Sequence, residues 1–321
     1  MTKSAIVDLQ CPLGHINLIN FYINNFRKDF DYVILNKEIK KYTDNKKINF
    51  ILYRGNIFLR FLSLLKVCNY LISKNVNKIL FLSYDVKIFF LISFFLKLKK
   101  VKTIIIEHDT LNPKKKIYFF LNKLVDSRVI RLVYTKEKFY FVKKYFSDQV
   151  KIIDHPIIKD NNKSSKLYLN KQISFDNSRK IILIPSRFNI DFRLLYNFID
   201  KYKNILFLVL SKKVKILDNV IFVENIRDNI IKKVDAIYLP LDNNIYRYRV
   251  SSWIYKAIAY NKKIILDDGF TYNFEKKRFG SVIANSELDI DLFLKKRTHI
   301  SNKFVINHNL RLISNMKEVL K

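Results

Sequence analysis

The stretch Ala236-Ile-Tyr-Leu-Pro-Leu-Asp-Asn-Asn-Ile-Tyr-Arg-Tyr-Arg-Val-Ser-Ser-Trp-Ile-Tyr-Lys-Ala-Ile-Ala-Tyr-Asn-Lys-Lys-Ile-Ile-Leu-Asp267 reads as strand, polar loop, helix, strand. Ala236 to Leu241 is a short apolar run broken by Pro240 and stopped by Asp242 and two asparagines, the pattern of a buried strand that ends abruptly. Ser251 and Ser252 can cap the helix that follows, and Ile254, Ala257 and Ile258 give it one apolar face. Asn261 suits the left-handed position that closes a helix. Lys263 to Asp267 is then the next buried strand. In the loop between strand and helix, Arg247 and Arg249 alternate with Tyr246 and Tyr248. A helix start with open N–H groups beside two guanidinium groups is a site for a phosphate or diphosphate.

The same alternation runs through the rest of the chain. Strand signals lie at Ser4–Leu9, Asp31–Asn36, Ile48–Tyr53, Lys78–Ser83, Lys102–Glu107, Val129–Thr135 and Lys151–Asp154. Helical patterns fall between them at Asn17–Asn25, Ile57–Ser73, Val86–Leu98, Lys114–Leu124 and Lys136–Phe146. Strands alternating with helices predict a parallel sheet covered on both faces. Lys159 to Arg179 is polar and turn-rich, as domain linkers are. After it the pattern restarts with strands at Lys180–Pro185, Ile205–Leu210 and Val220–Val223 and helices at Asp191–Lys201 and Asp228–Val234. Further helices are predicted at Leu288–Arg297 and Asn302–Leu320.

A chain of 321 residues suits two domains of about 150 residues each. Lysine and arginine number 60 against 28 acidic residues, for a net charge of +32. Such an excess points to an anionic partner, or to the Lys-, Asn- and Ile-rich usage of an AT-rich genome. The basic residues are scattered and no zinc-knuckle or RNA-recognition signature is present, so no nucleic acid is expected as partner. Cys11 and Cys68 form no disulfide framework, which fits a reducing compartment. The most apolar run, Ile88 to Leu96, falls well short of the roughly 20 residues that span a bilayer, and Met1 to Asp8 lacks a signal-peptide stretch. The expected location is the cytoplasm, with peripheral contact at most on the cytoplasmic face of the inner membrane.

Two strand ends in the first half carry candidate chemistry, because open α/β sheets place ligands at the carboxyl ends of their strands. The first is the loop after Leu9, with Gly14 and His15, where His15 is a candidate general base. The second is Ile104-Ile-Ile-Glu-His-Asp109, where an apolar strand ends in Glu107, His108 and Asp109. Neighbouring strand residues face opposite sides, so these converge poorly as metal ligands.

The segment Lys256-Ala-Ile-Ala-Tyr-Asn-Lys-Lys-Ile-Ile265 resembles the donor-nucleotide segment of glycosyltransferases with the GT-B architecture. There a helix of the type Glu-Ala-Met-Ala-x-Gly leads into Lys-Pro-Val-Ile. The likeness is to the group 1, family 4-like members, without their Glu-x7-Glu pair: Lys256 stands where many retaining members have Glu, and Asn261 where they have Gly. The resemblance implies an α/β fold of two Rossmann-like domains facing a cleft. It places an acceptor domain at 1–160, a linker at 161–179, a donor-nucleotide domain at 180–302 and a C-terminal helix at 303–321 packing back on the first domain. It makes Gly14 and His15 an acceptor-side loop, His108, often followed by Asp as here by Asp109, a residue facing the donor, and Arg187 a contact of the donor diphosphate.

Transfer of this kind needs a neutralised diphosphate leaving group and a deprotonated acceptor hydroxyl. The candidate donor-binding residues are Arg187, Arg247, Arg249, Ser251, Ser252 and Lys256. The candidate bases are Asp8, His15, His108 and Asp109. No cofactor and no metal are expected, since arginines and a helix start can carry the charge work. The implied partners are a nucleotide-sugar donor and a lipid-linked glycan or oligosaccharide acceptor of bacterial surface polysaccharide synthesis, with Ile57–Lys66 and Lys87–Lys97 as helices able to meet an anionic membrane. Retention or inversion at the sugar stays open. The rival readings are a basic nucleic-acid-binding protein and a catalytically degenerate protein of the same fold.

Overall fold

The computed structural model describes residues 3–10, 16–42, 48–107, 116–159, 179–185, 191–210, 217–223, 226, 228–242, 246 and 250–320, with the side chains of 41, 42 and 270 left aside. These residues form two compact units, one of Met1–Pro156 with Arg311–Lys321 and one of Ile157–Leu310. The linker expected at 161–179 lies almost wholly outside the described residues.

The first unit opens with β1 (Lys3–Asp8), α1 (Ile16–Phe26), β2 (Tyr32–Asn36), β3 (Asn49–Ile51), α2 (Ile57–Ser73), β4 (Val76–Phe81) and α3 (Val86–Leu98). It continues with β5 (Lys102–Ile106), α4 (Lys116–Leu124), β6 (Ile130–Val133), α5 (Lys136–Tyr145) and β7 (Val150–Ile152). The seven strands run in the order β3-β2-β1-β4-β5-β6-β7, every neighbour parallel. The central strands are apolar on both faces because helices cover both. Ala5, Val7, Ile79, Phe81 and Ile105 pack with Leu64, Val67 and Leu71 of α2 and Phe89, Ile92 and Leu96 of α3. Ile16, Ile19 and Ile23 of α1 cluster with Val33 and Leu35 of β2.

The second unit runs β8 (Ile181–Ile184), α6 (Phe192–Lys201), β9 (Leu206–Val209), β10 (Val220–Phe222), α7 (Asp228–Lys233) and β11 (Ala236–Leu239). Then come α8 (Ser252–Ala259), β12 (Lys263–Leu266), α9 (Phe270–Phe279), β13 (Ile283–Asn285), α10 (Ile290–Lys295) and α11 (Asn302–Leu320). Its sheet is β10-β9-β8-β11-β12-β13, again parallel throughout. Counted from its own first strand this is the doubly wound order of dinucleotide-binding sheets, with the switch between β8 and β11. One face carries α8 and the other α6 and α10.

The last helix begins in the second unit, and its residues from Arg311 onward group with the first. Arg311 Nε meets Asp154 Oδ2 at 2.9 Å, and Lys78 Nζ donates to the Leu320 carbonyl. Between α9 and β13 lies a 3-10 turn at Gly280–Val282. Gly280 causes the break, because its φ of 61° turns the chain out of α9. Asn261 holds the left-handed position at φ 53°, as its type and place predict.

Candidate functional site

In the second unit, the loops at the switch point are those after β8 and β11. Pro185 begins the first, and Arg187 falls outside the described residues. The two loops are tied by Asp191 N donating to the Pro240 carbonyl at 3.1 Å, while Asp191 Oδ1 caps α6 through Arg193 N and Leu194 N at 3.0 and 3.2 Å. Beyond β11, Arg247 and Arg249 also lie outside the described residues.

Ser251 occupies the N-cap position of α8 with φ −80° and ψ 114°, yet its hydroxyl makes no capping bond. This corrects the expectation that the serines cap the helix. Ser252 is the exposed first helical residue. By contrast, α2, α3, α5, α6 and α10 each spend a side chain on their first turn, from Asn56, Asp85, Thr135, Asp191 and Asp289. At the start of α8, Ile254 N turns back to the Ser251 carbonyl at 3.1 Å and no side chain caps the turn, an arrangement that suits an anion. Lys256 Nζ lies 4.7 Å from the Trp253 ring centroid. Helical side chains lean toward the N-terminus, so this ammonium is carried back one turn toward the open helix end.

Three strand ends meet at the carboxyl end of the same sheet. Asp267 Oδ1, after β12, accepts from Tyr238 Oη of β11 at 2.8 Å and from Ser286 Oγ beyond β13 at 2.6 Å. Its Oδ2 is buried with no hydrogen-bond partner. Burial raises the Asp267 carboxyl above its ordinary range against those two hydrogen bonds, and Asp191 and Glu287 push the same way. The Tyr238 hydroxyl is raised by burial first and by Asp267 next.

In the first unit, the switch point lies between β1 and β4. Asp8 is 2% exposed and accepts from Ser83 Oγ, which ties the two strand ends. Gln10 Nε2 donates to Tyr53 Oη at 3.0 Å, and burial pushes the Tyr53 hydroxyl up to about 12. Gly14, His15, His108 and Asp109 lie outside the described residues.

Glu107, the third titratable group of that strand end, is not available for chemistry. It is 0% exposed, as is Arg131, and Arg131 Nη1 meets its Oε1 at 2.6 Å. Arg131 also donates to the Asn122 side chain and carbonyl, both at 3.0 Å. Lys138 Nζ donates to the Glu107 carbonyl, on the peptide that leads into His108. The signal for this was in the sequence: Arg131 interrupts the apolar strand Ile130–Val133, and a buried guanidinium requires a paired acid. His155 is buried, its ring 5.1 Å from Tyr134 and its Nδ1 at 2.9 Å from the Pro156 oxygen. Among the described residues no group of three His, Cys, Asp or Glu is placed to hold a metal.

Two successive all-parallel sheets, the second in the nucleotide-binding strand order, are the architecture of the GT-B fold. Whole-chain comparison gives the same fold. A glycosyltransferase from Rickettsia africae matches with a TM-score of 0.68 at 15% identity, over 100% of this chain and 98% of that one. Anabaena HepE in complex with UDP-glucose matches at 0.63 and 12%, over 100% and 94%. WaaG, a glycosyltransferase involved in lipopolysaccharide biosynthesis, matches at 0.56 and 11%, over 99% and 94%. No protein-family model and no curated protein matches the sequence.

Proposed function

We propose that the protein is a glycosyltransferase, moving a hexosyl group from a nucleotide-diphosphate sugar to a lipid-linked or oligosaccharide acceptor of bacterial surface polysaccharide, such as O-antigen, capsule or lipooligosaccharide. The observation that carries this is the uncapped start of α8 at the switch point of the second sheet, directly after the loop that bears Arg247 and Arg249. Support comes from the similar fold of HepE, crystallised with UDP-glucose, and of WaaG, which serves lipopolysaccharide biosynthesis.

In this reading Arg187, Arg247, Arg249, Lys256 and the Ser251–Ser252 amides hold the diphosphate. The bond between the anomeric carbon and the diphosphate oxygen breaks, and the diphosphate leaves with its electron pair neutralised by these groups. An acceptor hydroxyl oxygen bonds the anomeric carbon and gives its proton to His108, His15 or Asp109. The basic first unit meets the anionic cytoplasmic leaflet that carries the acceptor lipid.

The test is a thermal-shift panel of UDP-, GDP-, CMP- and dTDP-sugars, followed by an assay of nucleotide release with and without a chelator. A ligand at 100 times its Kd stabilises by about 2.7 kcal/mol. One nucleotide class should stabilise the protein, Arg249→Ala should abolish that shift, and release should survive the chelator. Tight DNA binding with no response to any nucleotide sugar would overturn the proposal.

A further inference from the structure

At the edge of the first sheet where β5 and β6 begin, opposite the strand carboxyl ends, lies a cavity of about 280 Å³. Ser93, Lys97, Lys100, Lys102, Asp126 and Arg128 line it. Asp126 is the one carboxylate among these six, and its charge is already engaged. It accepts from Arg128 Nε and Nη2 at 3.3 and 3.2 Å and lies 3.7 Å from Lys97 Nζ. Lys100 and Lys102 pair with no carboxylate among the described residues. Lys78 and Lys151 lie close enough to Lys102 that they add to burial in lowering its proton affinity. Cations crowded around a cavity without matching acids leave a place for an anion.

Backbone geometry makes the same point independently. Lys100 follows α3 with φ 55°, and among the described residues the other non-glycine positions at positive φ are Asn75 and Asn261. Asn tolerates this conformation and Lys does so poorly. The chain thus accepts a strained residue at the one such position whose side chain lines the cavity. Beside it, Leu91, Phe94 and Leu98 form an exposed stripe along α3, Leu98 with 80% of its surface open. The neighbouring α4 exposes Ile117 and Phe120.

We propose that this cavity binds the phosphate of an anionic phospholipid headgroup, with Phe94 and Leu98 resting in the acyl boundary. The apolar stripe beside a cationic pocket selects a lipid over a free phosphate, because a soluble anion gives those side chains nothing to cover them. The proposal deepens the peripheral-membrane part of the function above. Its test reads membrane binding rather than transfer, so the two fail separately.

The experiment is co-sedimentation of the full chain with phosphatidylcholine vesicles, with and without phosphatidylglycerol, at low salt. The wild-type protein should bind only the anionic vesicles. Lys100→Asn should weaken binding about fivefold, and Lys100→Asn with Lys102→Gln about 25-fold. Lys100→Asn should not lower the melting temperature, because Asn suits the left-handed position. Lys143→Gln with Lys144→Gln, which removes the same charge from α5, should leave binding within twofold. Equal losses in the two double variants, or no loss in the cavity variants, would overturn the site. A melting shift with inorganic phosphate and no vesicle preference would overturn the lipid as occupant.

Discussion

Arg131→Met deletes the guanidinium at the centre of the buried cluster in the first unit while keeping a side chain of similar length. The bonds lost are the 2.6 Å ion pair to Glu107 and two 3.0 Å donations to Asn122. Both members of the pair are fully buried, so the carboxylate cannot turn to water for compensation. Breaking such a pair costs about 3–5 kcal/mol, against a total stability on the order of 5–15 kcal/mol for a domain. Adding Glu107→Gln removes the charge that causes most of the cost. The double variant should therefore recover about 2 kcal/mol relative to the sum of the single changes. Because the chain has two units, one melting curve does not report on this one alone. The assay is urea-dependent amide exchange of β5 and β6, which isolates the local opening. A loss under about 1 kcal/mol for Arg131→Met, or strictly additive single and double variants, would refute the account. The strand end that leads into His108 would then be held by something else.

Two further perturbations test the second unit. Asp267→Asn keeps an oxygen for Tyr238 and Ser286 and removes the charge. The folded Asp267 carboxyl is raised above its ordinary value of about 4, so between the two values the folded state holds a proton that the unfolded chain has released. Its contribution to stability therefore falls as pH rises through that window and stays low above it. The stability gap should open in favour of the variant from about pH 4 upward and then level off, as followed by urea unfolding at stepped pH; a pH-independent gap would contradict this. Asn261 combines a left-handed backbone with a side chain that accepts from Ile300 N at 2.9 Å. Asn261→Gly relieves the first and loses the second, and should stay within about 1 kcal/mol of wild type in thermal unfolding. Asn261→Ala loses the hydrogen bond and keeps a Cβ in the left-handed backbone without the tolerance Asn has for it, and should cost about 2–3 kcal/mol; equal stability of the two variants would exclude the backbone contribution.

What the sequence made legible is what local pattern encodes. Parallel strands covered on both faces read as uninterrupted apolar runs, and the long amphipathic helices Ile57–Ser73, Val86–Leu98 and Asn302–Leu320 have the ends their pattern predicts. The losses come where meaning depends on a distant partner. Glu107 reads as a titratable group poised at a strand end until Arg131, 24 positions later, is found to hold it. Asp267 reads as the last residue of a strand, yet its carboxylate gathers hydroxyls from Tyr238 and Ser286 and leaves one oxygen unmatched. Asn261 is legible as a helix stop, but its second role lies 39 residues away, in the amide of Ile300 that its side chain accepts from. Ser251 is the converse case: the residue type predicts a cap, and its hydroxyl makes no capping bond to the first turn of α8. A strand-end acid and a helix-start serine are thus ambiguous in the same way. Each is structural if its partner lies within the fold and functional if it does not, and only the tertiary partner separates the two.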